Sequence, residues 1–258
     1  MKYLSVAEAR ERPGLRLVLT AGVPGPWSEA AKAVLTLRGV SYLPVEQKAM
    51  APNEELLAWT GHRNAPIACL NDEPPLAGWL DIVLLAERLG AGPLLLPRGE
   101  DDRALCLGYV TELAGADGFG WNRRHQVMAG YLGDELPVEG ASTQLLRLLK
   151  DYATTQAAIA SAPHRIVAIL DGLAGRLHSQ RAAGSNYFIG AALTALDIYW
   201  ACFSMMVRPL PVEVNPMPDW LRPLYDRCDA AVNAAIDPIL IAHRDRIYEH
   251  YIGLPLDY

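Results

Sequence analysis

Apolar runs and turn residues alternate regularly through the first part of the chain. The run LRLVLT (15–20) is short, rich in branched residues and bounded by glycine and proline, which predicts a buried strand. Apolar positions at helical spacing follow over 28–38, and VSYLPVE (40–46) predicts a second strand. Because a helix separates these two strands, we expect them to run parallel with a right-handed crossover.

The pattern continues with further short elements. A helix is predicted at EELLAWTG (54–61), a third strand at PIACL (66–70) and another helix at WLDIVLLAERLG (79–90). Between the last two, PPLAG (74–78) predicts a brief fourth strand, which a tight turn makes antiparallel to the third. The predicted order of elements is therefore β-α-β-α-β-β-α.

The strand signal fades after a linker at 91–101 that is rich in proline and glycine. Long stretches rich in alanine and leucine then predict helices over 101–131, 141–160, 163–181, 191–208 and 219–250. The fold class that follows is α/β plus all-α. We expect an α/β domain at 1–92 and an all-helical domain at 100–258, sizes that are typical of single domains.

Composition and charge narrow the range of partners. The 258 residues include 23 Lys and Arg against 29 Asp and Glu, a net charge of −6. This acidic balance disfavours nucleic acid and anionic membrane surfaces, since both bind basic patches. The charged N-terminal residues lack the apolar core of a signal peptide, and no stretch approaches the ~20 apolar residues of a membrane span. We expect a cytoplasmic protein that binds neither nucleic acid nor membrane.

Cysteine and histidine give no sign of a metal site. The four cysteines form no C-x-x-C pair and lie in apolar segments, which is typical of buried reduced thiols. The six histidines are scattered, and no third ligand accompanies His243 and His250. We therefore expect neither a disulfide framework nor a bound metal.

The stretch VPGPWSE (23–29) joins the first strand to the first helix. Gly25-Pro26-Trp27-Ser28 has the shape of a Cys-Pro-Trp-Cys redox turn in which both sulfurs are missing. Without a thiol, disulfide exchange through a protein-bound intermediate is excluded. The turn can still stabilise the thiolate of a ligand, through N–H groups at the helix N-terminus and the Ser28 hydroxyl. The alternative is that Ser28 only caps the helix.

Two further motifs point to a specific fold. Asn64-Ala65-Pro66 opens the third strand, a position where a proline costs no hydrogen bond of the sheet. Thr194-Ala-Leu-Asp197 predicts a capping box, in which the acid accepts a hydrogen bond from the N–H of Thr194. The predicted role of this box is in folding rather than in catalysis.

With these motifs, the order of elements resembles the glutathione transferase superfamily over nearly the whole chain. The resemblance implies that the Ala65–Pro66 peptide bond is cis and faces the VPGPWSE turn. The backbone N–H and C=O of Ala65 would then bind the cysteinyl part of glutathione like an added strand. The resemblance also implies a two-fold homodimer.

Two positions depart from the pattern of this superfamily. The Ser or Cys that the family places near the end of the first strand falls on Gly25, which has no side chain. The acidic-Ser pair that holds the γ-glutamyl end of glutathione falls on Gly78-Trp79. Asp81 could meet the ammonium group instead, or Trp79 could fill the pocket. Both departures predict weak or altered glutathione binding.

The segment GADGFGWNRRHQ (115–126) lies where the family builds its hydrophobic co-substrate site. Its three glycines predict a broken or kinked helix that presents Phe119 and Trp121 from irregular backbone. Arg123 and Arg124 are candidates to bind an anionic group of the co-substrate. The alternative is a bulged helix whose aromatic residues pack in the core and whose arginines pair with surface carboxylates.

Two functions are compatible with the sequence. The first is an enzyme of the glutathione transferase type, which conjugates or transfers glutathione with a small hydrophobic electrophile. Glutathione is then the co-substrate, and Ser28 is the candidate catalytic residue. The second is a non-catalytic binding or interaction protein with an altered or lost glutathione site. The candidate binding residues are Gly25, Pro26, Trp27, Asn64, Ala65, Pro66, Trp79, Phe119, Trp121 and Arg124.

Overall fold

The computed structural model describes residues 1–132, 136 and 140–258. The strands among these residues form one mixed sheet in the order β2-β1-β3, with β1 (Leu15–Thr20), β2 (Leu43–Gln47) and β3 (Ile67–Leu70). β2 runs parallel to β1, as predicted, and β3 runs antiparallel to it. Five of the six residues of β1 are buried, because this central strand is covered on both faces.

Helices cover both faces of this sheet. They are α1 (Val6–Arg10), α2 (Pro26–Leu37), α3 (Glu54–Thr60) and α4 (Trp79–Leu89). Successive side chains of β1 point to opposite faces: Leu17 and Leu19 pack in the large core with α2 and α4, whereas Val18 packs in a small core with α1 and α3. The large core continues into the rest of the molecule, so α2 and α4 form the face on which the remaining helices pack.

The predicted fourth strand is a single residue pair. Leu76 and Ala68 exchange backbone N–H to carbonyl hydrogen bonds of 2.8 and 2.9 Å. The pairing stops there because Pro74 and Pro75 precede Leu76 and cannot donate, while Gly78 already caps α4. The prediction was therefore right about the antiparallel return of the chain and wrong about its length.

The rest of the described chain is helical, as the fold class predicts. The helices are α5 (Glu100–Ala114), α6 (Phe119–Leu132), α7 (Thr143–Asp151), α8 (Gln156–Ala182), α9 (Ala195–Phe203), α10 (Arg222–Asp226), α11 (Ala230–Ala235) and α12 (Pro238–Ile247). The helices predicted over 101–131 and 219–250 are each divided into shorter ones. α9 is buried along its whole length and packs against α2, α5 and α12, so it lies at the centre of the molecule.

The division into domains at 1–92 and 100–258 stays a prediction. The connection between α4 and α5 coincides with the predicted linker, and all strands of the described chain lie before it. α2 nevertheless packs directly on α9, so the sheet and the helical part share one apolar core.

α8 is the one helix of the described residues that is long and apolar enough to cross a membrane, judged by length and composition alone. The prediction that no stretch approaches a membrane span is therefore wrong by this test, and the mean hydropathy of the most apolar window of α8 is 1.2. Its buried residues are spaced three and four apart, and this face packs against α6, α11 and α12. A core helix of a soluble protein passes the same test of length and composition.

The predicted capping box at the start of α9 is present. Asp197 Oδ2 accepts hydrogen bonds from the Thr194 N–H (2.8 Å) and the Thr194 hydroxyl (2.7 Å). Asp197 Oδ1 accepts hydrogen bonds from the Phe188 N–H (3.0 Å) and from His243 Nε2 (2.9 Å). Asp197 and His243 are both fully buried, so this acid ties the start of α9 to two distant segments of the chain.

Candidate functional site

A cleft of about 690 Å³ lies between the sheet and the helical part of the molecule. One wall consists of the turn before α2, the loop before β3 and the start of α4. The other wall consists of one face of α6, the end of α7 and the segment leading into α10. The sequence-predicted site residues that line it are Gly25, Trp27, Ser28, Asn64, Ala65, Pro66, Trp79, Trp121 and Arg124. Pro26 and Phe119 lie outside its lining.

Gly25 and Pro26 begin α2. Gly25 is the N-cap, and its carbonyl accepts a hydrogen bond from the Glu29 N–H at 2.9 Å. Pro26 takes the first helical position, where its fixed φ suits a helix and its missing N–H has no partner to lose. Pro26 is buried beneath the turn, which corrects the prediction that it contacts the substrate. Ser28 is the third residue of α2, so the alternative of a capping serine is wrong.

Ser28 lines the cleft although only 3% of its surface is exposed. A Cβ placed on Gly25 would lie 3.9 Å from Ser28 Oγ, so the hydroxyl stands beside the position where a side chain at residue 25 would begin. Within the described part of the chain this hydroxyl has no hydrogen bond, and neither do the backbone N–H groups of Trp27 and Ser28. The start of α2 thus presents three unpaired donors at the positive end of the helix dipole.

The loop before β3 supplies a free backbone edge to the same cleft. The Ala65–Pro66 peptide bond is cis, and Asn64, Ala65 and Pro66 all line the cleft. Neither the N–H nor the carbonyl of Ala65 has a hydrogen-bond partner among residues 1–132, 136 and 140–258. An extended peptide can therefore pair with this residue as it would with the edge of a sheet.

The start of α4 places one more indole, that of Trp79, in the cleft. Gly78 is the N-cap of α4, and Trp79 lines the cleft with its ring packed edge-on against Tyr199 at 5.9 Å between centroids. A Cβ on Gly78 would lie 2.5 Å from Asp81 Oδ2, so the Asp81 carboxylate folds back over the helix start. Asp81 is not part of the cleft lining, but its carboxylate lies beside Gly78, which is, so the suggestion that it meets a ligand ammonium group stays a prediction.

Three aromatic side chains form the wall next to the α2 turn. The indole of Trp27 donates a hydrogen bond from Nε1 to the Ala114 carbonyl (3.1 Å) and packs edge-on against Phe203 at 4.8 Å. The ring of Trp121 lies 5.2 Å from that of Trp27 and 5.8 Å from that of Tyr152. Tyr152 follows α7 and was not predicted, since no local pattern brings it to this wall.

The glycine-rich segment breaks the helix before its aromatic residues. α5 ends at Ala114, and Gly115 and Gly118 form the turn that leads into α6. A side chain at either glycine would collide with backbone, because carbonyl oxygens lie 2.6 and 2.8 Å from the two Cβ positions. Trp121 is therefore presented from the first turn of α6, which corrects the prediction of irregular backbone.

The residues of α6 that were predicted to form one site lie on different faces of the helix, since successive residues of a helix are about 100° apart around its axis. Phe119 is fully buried in the core, which corrects the prediction that it binds substrate. Arg123 is also buried, and its Nε and Nη2 donate to the Met206 carbonyl at 2.9 and 2.7 Å. Burial lowers the pKa of Arg123. Trp121 and Arg124 face the cleft.

Gly120 lies inside α6, where the sequence suggested a break. A Cβ at this position would lie 2.4 Å from a ring carbon of Phe203 and 2.8 Å from the indole of Trp27. Glycine here therefore allows α6 to approach the start of α2 closely. The sequence pattern identified this residue, but as a helix breaker instead of a packing position.

We expect Gly120→Ala to lower the free energy of unfolding by about 1–3 kcal/mol, since overpacking outweighs the ~1 kcal/mol that alanine gains within a helix. Chemical denaturation measures the change. The matched control is Gly108→Ala in α5, where nothing lies within 4 Å of the added Cβ. The control should stabilise the protein by about 0.5–1 kcal/mol. A stabilising effect of Gly120→Ala would contradict the close packing of α6 on Trp27.

Neither a family model nor a curated protein matches the sequence. Solved structures, in contrast, match its fold. A glutathione S-transferase domain-containing protein from Marinobacter aquaeolei superposes with a TM-score of 0.58 at 14% identity, over 92% of this chain and 98% of its own. A glutathione S-transferase from Xanthobacter autotrophicus gives a TM-score of 0.54 at 17% identity, over 93% and 96% of the two chains.

A third match carries a ligand. A glutathione S-transferase from Methylobacterium radiotolerans, solved in complex with glutathione sulfonate, superposes with a TM-score of 0.53 at 17% identity, over 86% of this chain and 94% of its own. These coverages include both the sheet and the helical part of the molecule. Identities this low establish architecture alone. The chain has the glutathione S-transferase fold.

Proposed function

We propose that the protein is a glutathione transferase-like enzyme that joins glutathione to a small hydrophobic electrophile. One observation carries the proposal: the three unpaired donors at the start of α2 line the same cleft as the unpaired backbone of Ala65. The donors can hold a thiolate, and the backbone of Ala65 can hold the peptide that bears it.

In this proposal the chain acts on the thiol of its substrate and contributes no nucleophile of its own. The N–H groups and the α2 dipole favour the thiolate, whose sulfur accepts a hydrogen bond from the Ser28 hydroxyl. The thiol proton passes to solvent. The thiolate then attacks an electrophilic carbon, forming a C–S bond while the leaving group departs with the bonding electron pair. Holding both reactants in one cleft supplies much of the rate gain.

The γ-glutamyl end of glutathione would meet a poorer site than its cysteinyl part. Gly78 and Trp79 supply neither a carboxylate nor a hydroxyl at the start of α4, and Asp81 lies outside the cleft lining. The backbone N–H groups of this helix start remain to attract a carboxylate. We therefore expect weak binding, with a dissociation constant of about 1 mM.

Calorimetric titration with glutathione tests the proposal, together with the loss of thiol in the presence of 1-chloro-2,4-dinitrobenzene. We expect binding and a rate above that of the uncatalysed reaction. Binding without turnover would favour the second candidate, a non-catalytic protein of this fold, which the missing side chain at Gly25 supports. If the titration shows no heat of binding at about 10 mM glutathione, the binding free energy is weaker than ~3 kcal/mol, and the glutathione proposal is wrong.

We expect Trp79→Ser to strengthen glutathione binding by about tenfold, because it opens the space at the start of α4 and adds a hydroxyl donor there. The same calorimetric titration measures this change. Trp220→Ser is the matched control, since Trp220 lines the mouth of the cleft and is 42% exposed. The control should leave glutathione affinity unchanged. Weaker binding to the Trp79 variant would mean that the indole itself contacts the ligand.

We also propose a homodimer in the cytoplasm with domains at 1–92 and 100–258, following the resemblance of the chain. The exposed leucines Leu84, Leu89 and Leu94, each 40–42% exposed, lie on α4 and just after it and support a protein–protein contact there. Light scattering at micromolar concentration measures the oligomeric state, and the mass of a single 28.2 kDa chain would contradict the dimer.

A further inference from the structure

Among the residues that the structure describes, Arg124 differs from the other arginines around the cleft in having no polar partner. Arg63 lies 3.7 Å from an Asp151 carboxylate oxygen, and Arg123 donates to backbone carbonyls in the core. Arg124 forms neither a hydrogen bond nor an ion pair within the described residues, and its Nε is buried without a partner. Arg124 is half-buried, and its terminal guanidinium N–H groups have no partner among the described residues, so the side chain is suited to a ligand.

Aromatic rings hold the guanidinium of Arg124 in place. Its central carbon lies 5.4 Å from the ring centroid of Trp27 and 5.2 Å from that of Tyr152. Such cation–π contacts fix the charge without using its N–H groups in strong hydrogen bonds. Trp121 completes the group, in contact with both Trp27 and Tyr152. The cation is therefore preorganised, and its donors stay available for a planar, two-oxygen acceptor such as a carboxylate.

The charged side chains of the described cleft lining do not neutralise Arg124. The acidic side chain among the described lining residues is Asp151, which lies against Arg63. His125 follows Arg124 in the sequence and lines the cleft, and its Nδ1 lies 3.1 Å from the Thr154 hydroxyl. Burial, followed by the charge of Arg124, lowers the pKa of His125, so the imidazole is neutral near pH 7. This part of the cleft is therefore positive and suits an anion.

The position of Arg124 assigns it to the electrophile and not to glutathione. Its partner Trp27 directly precedes Ser28, and Arg124, Trp27 and Ser28 all line the cleft, so a ligand bound to Arg124 shares the cleft with the proposed thiolate. The free backbone of Ala65, in contrast, belongs to the opposite wall. Beyond Arg124 along the second wall the lining is apolar and aromatic, with Val127, Met128, Tyr131, Trp220 and Leu224. This lining suits a ligand with an anionic end at Arg124 and a flat apolar body.

We propose that Arg124 binds the anionic group of the second substrate, which is a planar aromatic or conjugated carboxylate or a similar monoanion. The assignment to a substrate rests on the proposed transferase function, whereas the anion site itself does not. The electrophilic carbon of such a molecule would lie between its anionic group and the thiolate, within the ring cluster of Trp27, Trp121 and Tyr152.

A pair of naphthalene probes that differ in charge tests this site. Calorimetric titration compares 8-anilinonaphthalene-1-sulfonate, an anion, with the uncharged N-phenyl-1-naphthylamine. We expect Arg124→Gln to weaken binding of the anion by about tenfold or more and to leave the neutral probe unchanged, because a charge-assisted hydrogen bond is lost. Arg88→Gln is the control, since Arg88 is an exposed arginine paired with Glu73. It should affect neither probe.

Three results would overturn the assignment. Equal weakening of both probes by Arg124→Gln would show that the arginine only shapes the aromatic wall. Unchanged binding of the anion would show that it does not use Arg124. If Arg124→Gln weakens glutathione itself and glutathione displaces the anionic probe, the arginine belongs to the glutathione site.

Two further measurements distinguish a loss of folding from a loss of anion binding. Arg124→Lys keeps the charge but not the planar fork, and we expect it to bind the anionic probe with intermediate affinity. If Arg124→Gln melts at a lower temperature than the wild type, Arg124→Lys replaces it in the comparison of probe affinities. In that case, equal affinity of the wild-type protein for the anionic and the neutral probe would contradict the anion site. Charge-selective binding with no affinity for glutathione would end the transferase proposal and leave the anion site standing.

Discussion

Replacing Asp197 with alanine is expected to lower the free energy of unfolding by about 3–5 kcal/mol, because the change strands several buried donors at once. The carboxylate accepts hydrogen bonds from the Thr194 backbone and hydroxyl, from the Phe188 N–H and from His243 Nε2. His243 is fully buried, and its Nδ1 already lacks a partner among the described residues. The loss is therefore larger than the ~1 kcal/mol of an ordinary helix cap.

Urea denaturation measures this loss, and Asp237→Ala is its matched control. Asp237 also caps a helix, accepting from the Ile239 N–H at 2.8 Å, and also contacts a histidine, His178, at 2.8 Å. It differs in being partly exposed, with a third of its side-chain surface open to water. We expect a loss of about 1 kcal/mol for the control. Equal losses for the two variants would contradict the claim that burial makes the Asp197 network strong.

The capping box shows which part of this network a sequence can reveal. Thr194 and Asp197 lie one helical turn apart, so the spacing alone brings the acid back to the N–H of the cap. His243 is 46 residues away in the sequence and meets Asp197 only because α12 packs on α9. No local pattern carries that contact. The same limit explains why Tyr152, which completes the aromatic wall of the cleft, was not predicted.

The errors at the cleft also have physical causes. Phe119 was predicted to bind substrate because the glycines around it suggested irregular backbone. The helix is interrupted between Gly115 and Gly118, where carbonyls leave no room for a side chain, and a regular helix, α6, begins at Phe119. The regular turn of α6 then buries Phe119 and Arg123 while Arg124 reaches the cleft. The face that each of these residues takes depends on where α6 begins. The sequence pattern did not locate that start, so it could not tell which residues are buried and which reach the cleft.

Most of the residues predicted at the first wall line the cleft, because their placement depends on connections between adjacent elements. A strand, a tight turn and a helix start bring the turn before α2 to the end of β1. The proline that opens β3 lies next to it because β3 pairs with β1. Pro26 is the exception, since it is buried as the first residue of α2 and lies outside the cleft lining.

Ser28→Ala is expected to lower turnover of glutathione by about a hundredfold if the protein is a transferase, because one of the donors to the thiolate is lost. The same change should raise the pKa of the bound thiol, since the charged form loses a hydrogen bond. Ultraviolet absorbance of the thiolate as a function of pH measures this pKa. Stability should change by less than about 0.5 kcal/mol, because the hydroxyl has no partner in the described chain to leave unpaired.

Ser204→Ala is the control for removing a buried serine hydroxyl away from the cleft. Ser204 is fully buried, and its Oγ donates to the Ala201 carbonyl at 2.8 Å, so we expect a loss of about 1 kcal/mol in stability and no change in turnover. The two serines should thus respond in opposite ways. Unchanged turnover and thiol pKa in Ser28→Ala would mean that the N–H groups of Trp27 and Ser28 hold the thiolate without the hydroxyl. The turn at Gly25 would then work through its backbone alone.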